Sequence, residues 1–340
     1  MSDQPYVSIV VVNYNGKHLL AECFDALSRL DYPRDRTEVV LVDNASSDDT
    51  VPFVAAHYPW VKILELESNR GFADGNNEGI RVARGDHIVL LNNDTSVDSG
   101  WLLPLVEALE SDPRVGGAGS KILLRKDPGR LQSTGLVLFS DGNGGDRGYG
   151  EIDEGQYDRS PDVFGCCGAS LILRRRMLEE VGSLDGALFM YCEDLDLAWR
   201  ARLRGWTFKY VADSRVLHEH TGTSVAWSPF FVFHLERNRV LVNWKNAPLA
   251  LALRVSASFA WRLLRASSAA LVRWDRDTRG RASAMMRAAG SLVARMPGAL
   301  RARSTIRGNS RRLDDESIRR WMVTWTRPTV ADPASMKGPA

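Results

Sequence analysis

Short apolar runs alternate with stretches of helical periodicity through the first 125 residues. Val7–Val12 is β-branched almost throughout and runs into Asn13-Tyr14-Asn15-Gly16, which predicts a buried strand ending in a turn. Val39–Val42, Val61–Leu66 and His87–Leu91 read as further strands. Leu19–Leu30, Gly75–Ala83 and Trp101–Leu109 carry apolar residues at helical spacing, and Ser47 or Asp48 can cap a helix after the second strand. Strands alternating with helices predict an α/β domain with a parallel, doubly wound sheet. Ligands of such sheets gather at the carboxyl ends of the strands. Those ends carry Asn13, Asp43, Asn69-Arg70 and Asn92-Asn93-Asp94.

Further along, the pattern loosens. Asp141–Gly150 (DGNGGDRGYG) reads as a mobile loop on the substrate side; Gly145 stands where a calcium loop needs a ligand. Leu171–Leu173 predicts a strand and Glu193–Arg204 a helix closed by Gly205. Val211–Leu217 is a strand or an irregular segment leading to His218-Glu219-His220.

Composition changes this picture in one respect. The 340 residues hold 44 Lys+Arg and 42 Asp+Glu, a net charge of +2, but the charges are unevenly spread. Residues 1–244 sum to −11 and residues 245–340 to +13, so an acidic body carries a basic tail that suits an anionic surface. Cys23, Cys166, Cys167 and Cys192 show no metal-ligand spacing, which speaks against a zinc site or a disulfide framework and for a reducing, cytoplasmic setting. Neither a signal-peptide pattern nor an uncharged apolar stretch of about 18 residues is expected to act here. The sequence has no G-x-G-x-x-G after the first strand, no G-x-x-x-x-G-K-[ST], no H-E-x-x-H and no G-x-S-x-G, which counts against dinucleotide, P-loop, zincin and α/β-hydrolase chemistry.

Five segments resemble family 2 glycosyltransferases, in the order seen there: Val7–Gly16, Val42–Asp48, Asn69-Arg70-Gly71-Phe72-Ala73, Leu91-Asn92-Asn93-Asp94 and Glu193-Asp194-Leu195-Asp196-Leu197. The likeness covers roughly residues 5–245 and is similar above all to the bacterial rhamnosyltransferase-like branch. It implies a GT-A fold, Rossmann-like, with a mostly parallel sheet and helices on both faces. Residues 1–125 would bind the nucleotide sugar and 126–244 the acceptor and catalytic groups, with 245–340 as a helical extension. The implied reaction is an inverting transfer from a dTDP- or UDP-sugar, dTDP-rhamnose among them, to an envelope glycan or polyprenyl-linked acceptor, assisted by Mg²⁺ or Mn²⁺.

On this resemblance Asp43 matches the residue that reads the base, since a carboxylate accepts from the imide N–H of uracil or thymine. Asn13, Asn69, Arg70, Gly71, Asn76, Asn92 and Asn93 are expected around the nucleotide sugar, with Arg70 on a phosphate. The family's D-x-D position holds Asn92-Asn93-Asp94, which leaves Asp94 as the expected metal ligand. His218 or His220 would be the second ligand, the spacing to the strand favouring His218. An inverting transfer needs a base for the acceptor hydroxyl, a role that falls to Asp194, with Glu193 as second choice. Gly168, Ala169 and Arg200 are expected on the acceptor side, Arg200 pairing with Asp196 at i, i+4. Arg237-Asn238-Arg239 matches an Arg-Asn pair that ends the catalytic domain, with phosphate binding or a hinge as its open roles. As turn formers, helix caps and packing residues, the same side chains would have no chemistry at all.

Within the tail, Pro248–Arg276 reads as one amphipathic helix. Arg254, Arg262, Arg265, Arg273 and Arg276 fall within an arc of about 100°, opposite Leu253, Phe259, Leu263, Leu264 and Leu271. That pattern predicts a helix lying on an anionic membrane, hence a protein peripheral to the cytoplasmic face. No nucleic-acid-binding module accompanies the charge, so nucleic acid is not an expected partner. The rival readings are a non-catalytic sugar-nucleotide scaffold and an NAD-type oxidoreductase.

Overall fold

The computed structural model describes residues 4–159, 161–219, 228–272, 275–308 and 311–324. Its strands are β1 (Val7–Asn13), β2 (Thr37–Asp43), β3 (Val61–Glu65), β4 (His87–Asn92), β5 (Thr95–Val97), β6 (Val115–Leu124), β7 (Asp127–Ser133), β8 (Leu136–Phe139), β9 (Gly144–Asp146), β10 (Asp162–Val163), β11 (Ser170–Arg174), β12 (Thr207–His218) and β13 (Met322–Val323). Its helices are α1 (Lys17–Ser28), α2 (Thr50–His57), α3 (Gly71–Val82), α4 (Leu102–Glu110), α5 (Arg175–Val181), α6 (Glu193–Leu203), α7 (Pro229–Asn246), α8 (Leu249–Val272), α9 (Arg276–Arg307) and α10 (Asp315–Arg319).

The large sheet runs β10-β12-β6-β11-β4-β1-β2-β3, with β5 on β12 and β7 on β6. Strand β1 shows why the apolar runs are continuous. Val7, Ile9 and Val11 point into one core with Leu20, Phe24 and Leu27 of α1, while Val10 points into the other with Ile80 of α3. Burial on both faces removes the polar alternation of a half-exposed strand. Helix α3 can sit close on the sheet because Gly79 has no side chain; a Cβ there would lie 2.3 Å from Val10 Cγ1.

β3, β2, β1 and β4 are parallel as expected, but β11 runs antiparallel between β4 and β6. The doubly wound sheet is therefore mixed at its centre. This reversal matters: β11 begins beside the end of β4, with Ser170 opposite Leu91, so Cys167-Gly168-Ala169 sits at the ligand edge.

Two expectations need correction. The glycine-rich segment 141–150 is not a free loop, because Gly144–Asp146 pairs with β8, which also pairs with β13 near the C-terminus. Its glycines serve close packing: a Cβ on Gly142, at φ +81°, would lie 2.5 Å from Asn243 Oδ1 and 2.7 Å from Val255. Nor is 248–276 one helix. α8 ends at Val272, and Arg276 opens α9, where the Asp275 carboxylate accepts from Thr278 N at 2.8 Å; Arg273 lies outside the described residues.

Leu251, Val255 and Phe259 of α8, and Ala284, Met285, Ala288 and Leu292 of α9, join the core that holds the α3 face of the sheet. The chain then returns to the body. Arg312 N and Leu313 N both donate to Leu203 O, and the Arg202 guanidinium stacks 4.0 Å from the Trp321 ring centroid.

Asp196 joins α6 to α7. Its carboxylate, fully buried, accepts from Arg200 Nε at 2.9 Å, Lys245 Nζ at 2.8 Å and Asn246 Nδ2 at 2.8 Å. Burial pushes its carboxyl up, but the charges of Lys245 and Arg200 outweigh this and bring it down to about 2. The network therefore stabilises the fold above the ordinary carboxylate range, and that contribution is lost as pH falls towards 2. Asp196→Asn leaves the buried Arg200 without its counter-charge and Lys245 with Asp185 alone, and is expected to cost about 3–5 kcal/mol. Denaturant unfolding at pH 7 measures this, and a loss under about 1 kcal/mol would remove Asp196 from this role.

Candidate active site

A cleft of about 610 Å³ opens at the carboxyl edge of β1, β2 and β4 and the start of β11. Asn69, Gly71, Asn92, Asn93, Asp94, Gly168, Ala169, Glu193, Asp194 and His218 all line it. Residues from strand ends far apart in sequence thus meet around one space.

On one wall, β12 delivers His218 next to the end of β4. His218 Nε2 lies 3.0 Å from Asp94 Oδ1 and 3.1 Å from Asn92 Nδ2, and Nδ1 lies 2.8 Å from Gln132 Oε1. Nδ1–H donates to Gln132 and Nε2–H to Asp94; a cation entering beside Asp94 would take the place of the Nε2 proton, with Gln132 still fixing the ring. Burial raises the Asp94 carboxyl, yet the hydrogen bond and charge of His218 overcome it and hold it below the ordinary range. Asn92 Oδ1 is buried with no protein partner. This donor set fits a divalent cation with Asp94 and His218 as its protein ligands. Among the described residues no cluster of three His, Cys, Asp or Glu side chains could hold a metal, so the remaining ligands would come from substrate and water. His220 lies outside the described residues.

The opposite wall is the N-terminus of α6. The Asp194 carboxylate accepts from Gly168 N at 3.1 Å and Leu195 N at 2.7 Å, which aims it across the cleft. Burial raises Asp194, and burial together with the Asp194 charge pushes the neighbouring Glu193 far above the usual carboxylate range. Asp146 on β9 adds a third carboxyl, raised to about 6 by burial and then by Asp194.

These carboxylates depend on an unusual backbone. Phe189, Tyr191 and Cys192 all have φ between +66° and +71°, a region non-glycine residues rarely occupy. Asn238 Nδ2 donates to the carbonyls of Leu188, Met190 and Tyr191 at 2.8–2.9 Å, and Arg237 donates to Leu188 O at 2.7 Å. Helix α7 therefore clamps the loop that introduces Glu193 and Asp194. From the other side, Ala73 N donates to Phe189 O, and Gly71 leaves room for it: a Cβ there would lie 2.5 Å from that oxygen.

The other expected site residues stand behind or beside the cleft. Asn13 is buried, donating to Thr50 and accepting from Asn93 Nδ2, so it supports Asn93 from beneath. Asp43 accepts from Ser46 N through one oxygen, while the other is buried and unpartnered. Three placements differ from expectation. Asn76 turns back along its own helix to donate to Phe72 O. Arg70 pairs with Glu78 on α3 at 2.9 Å instead of reaching a phosphate. Arg200 faces away from the cleft, bound to Asp196 and to the carbonyls of Val181, Gly182 and Ser183. Conversely, Gln132, Asp146 and the Phe189–Cys192 loop were not foreseen. Only Asp146 left a trace, as an acid inside the glycine-rich run.

The sequence profile of Glycosyl transferase family 2 matches residues 8–182. An N-acetylglucosaminyl-diphospho-decaprenol L-rhamnosyltransferase of Mycobacterium tuberculosis is 28% identical over 295 residues, covering 76% of this chain and 93% of its own length. Among solved structures, GalNAc-T7 with UDP, GalNAc and Mn²⁺ superposes with a TM-score of 0.58 at 17% identity, over 72% of this chain and 48% of that one. The mannosyltransferase PcManGT of Pyrobaculum calidifontis, with GDP-Man and Mn²⁺, superposes with a TM-score of 0.54 at 20% identity, over 86% and 88%. These two likenesses support the GT-A fold.

The raised Glu193 carboxyl has a consequence for stability. A group whose folded value lies above its unfolded one near 4.5 favours folding while protonated, and that stability declines as pH rises between the two values. Wild-type unfolding free energy is expected to fall from pH 5 to pH 8 by on the order of 2–4 kcal/mol more than that of Glu193→Gln. Urea titrations at both pH values read the difference, and equal slopes would mean Glu193 is not held neutral.

Proposed function

The chain belongs to glycosyl transferase family 2, and we propose that it performs an inverting transfer with Asp194 as base. The observation that carries this reading is the pairing, across one cleft, of an Asp94–His218 donor set with the Glu193–Asp194 carboxylates. The acceptor hydroxyl gives its proton to Asp194 as its oxygen attacks the anomeric carbon; on the opposite face the bond to the diphosphate breaks, and the nucleoside diphosphate departs. The protonated Glu193 beside it keeps a second negative charge away from the attacking oxygen. Asp94 and His218 would hold a divalent cation, which when bound neutralises the diphosphate.

A uracil or thymine base is favoured by the buried, unpartnered oxygen of Asp43 behind the cleft, with Tyr14, 45% exposed at the cleft, available to stack on it. The Mycobacterium tuberculosis relative supports a lipid-diphosphate-linked sugar as acceptor and L-rhamnose as the transferred sugar. Incubation with dTDP-, UDP- and GDP-sugars, Mn²⁺ and such an acceptor tests the reading. Asp194→Asn is expected to lose 10²–10⁴-fold in turnover, roughly the contribution of a general base, while still binding the donor. Turnover equal to wild type would overturn the mechanism.

We further propose attachment to the cytoplasmic face of an anionic membrane through α8. Among the described residues no helix is long and apolar enough to cross a membrane. With Phe259 turned inward, the outer face of α8 bears Leu253, Trp261, Leu264 and Leu271, the last 81% exposed, flanked by Arg254 and Arg265. Arg262 leaves that face to pair with Glu236. Truncation after 245 would strip the body's core, so Trp261→Glu with Leu264→Glu is the cleaner probe. Co-sedimentation with vesicles containing anionic lipid is expected to weaken about tenfold. Unchanged sedimentation would exclude this face.

A further inference from the structure

Behind the cleft lies a second cavity of about 250 Å³, lined in part by Leu235, Glu236, Arg239 and Asn243 of α7. It meets the first cavity across Gly144, Cys192, Leu195 and Leu235, which line both. Arg239 is the feature that needs an explanation. Its neighbours on α7 are all engaged: Glu236 with Arg262, Arg237 with Leu188 O, and Lys245 with Asp185 and Asp196. Arg239 Nε is buried without a hydrogen-bond partner. Burial, with the positive charge of Arg262 next, works against its own charge. Glu236 and Asp141 offset this only in part, so a half-buried guanidinium whose Nε has no partner is left facing the cavity, where an anion would satisfy it.

The surroundings say which anion. The two carboxylates that act on Arg239 are hydrogen-bonded elsewhere: Asp141 accepts from the backbone and side chain of Asn143, and Glu236 from Arg262. Helix α8 borders it: Val255 packs where a Cβ on Gly142 would project, and Arg262 reaches Glu236. The exposed apolar side chains Leu253, Trp261 and Leu264 lie on the same helix turns. They project from the outer side of α8, away from Val255 and Arg262, so an anion at Arg239 would sit between the carboxylates of the cleft and the inner side of that helix.

We propose that Arg239 binds the diphosphate of a polyprenyl-diphosphate-linked acceptor, whose sugar enters the adjoining cleft. The fork of an arginine suits a diphosphate, which offers paired oxygens. The inference rests on the glycosyl-transfer reading above but has its own readout, since binding is measured without turnover.

Farnesyl diphosphate serves as the probe, with farnesol and the nucleoside diphosphates UDP and dTDP as comparison ligands, titrated into the full chain by calorimetry. Wild type is expected to bind farnesyl diphosphate, and Arg239→Gln to bind it at least about tenfold more weakly, the loss typical of a charge-assisted contact. Arg239→Lys, which keeps the charge but not the fork, should fall between them. Farnesol binding, and UDP or dTDP binding, should be alike in all three proteins. Equal farnesyl diphosphate affinity in wild type and Arg239→Gln, or no binding to wild type, would overturn the proposal. A parallel loss of UDP or dTDP affinity would overturn it too, by assigning the arginine to the donor. If no sugar nucleotide is turned over while Arg239 still discriminates farnesyl diphosphate from farnesol, the transfer reading fails and this one stands.

Discussion

The site depends on a short stretch of backbone held where it would not rest by itself. Between Leu188 and Glu193 three non-glycine residues adopt positive φ, each at a cost of order 1–3 kcal/mol. One asparagine amide, Asn238, is shared among the carbonyls of Leu188, Met190 and Tyr191, and the α3 N-terminus closes the loop from the other side. The twist brings the first turn of α6 to the cleft, so that two acidic residues reach the substrate space from a helix end whose dipole favours their negative charge. It follows that α7 is no accessory. It holds the active loop, and α8, α9 and the returning β13 segment hold α7 and the β8–β9 hairpin in turn.

Burial then sorts the carboxylates of this one region into different states. Asp196 lies deepest, and its two cations keep it ionised. Glu193, three residues earlier, has no cation and is pushed towards the neutral form. Asp194 lies between them, raised by burial but offered two backbone N–H groups. Sequence proximity therefore says little about protonation here; the partners decide it. Asp194 reaches the cleft without a cation partner and with two N–H donors, the surroundings on which the proposal that it acts as base rests.

The parallel half of the sheet was legible because strands buried on both faces must be apolar, as β1, β2 and β4 are through their central residues, while the edge strand β3 keeps Lys62 and Glu65 exposed. The strand-end polar clusters were legible for the same reason, since only there does a buried strand meet water. What stayed hidden depends on pairing between distant segments. Nothing in Ser170–Arg174 announces that it runs against β4, and hence that Gly168 lies beside Asp94's strand. Gln132 orients His218 across 86 positions of sequence. Arg70 looked like a phosphate ligand because a lone cation in sequence shows no partner, whereas Glu78 lies 2.9 Å from it in the fold; the i, i+4 spacing of Asp196 and Arg200 did announce their pair. Glycines in 141–150 suggested mobility, but the same absence of a Cβ permits tight packing, and only the neighbours distinguish the two.

Net charge behaves in the same way. The excess of arginine after residue 245 suggested one continuous cationic face, yet several of these side chains are spent inside the protein: Arg262 on Glu236, Arg303 on the carbonyls of Trp244 and Ala247, Arg307 and Arg311 on Asp315. Arg262 and Arg303 fasten α8 and α9 to α7 and its end, whereas Arg307 and Arg311 tie parts of the tail to one another through Asp315. What remains outward on α8 is fewer arginines than the sequence suggested, together with more exposed leucine and tryptophan than charge arithmetic could reveal. On the proposal that this surface docks on a membrane, apolar burial would supply most of the affinity and charge would steer the approach, so binding would depend on salt less steeply than for a purely basic patch.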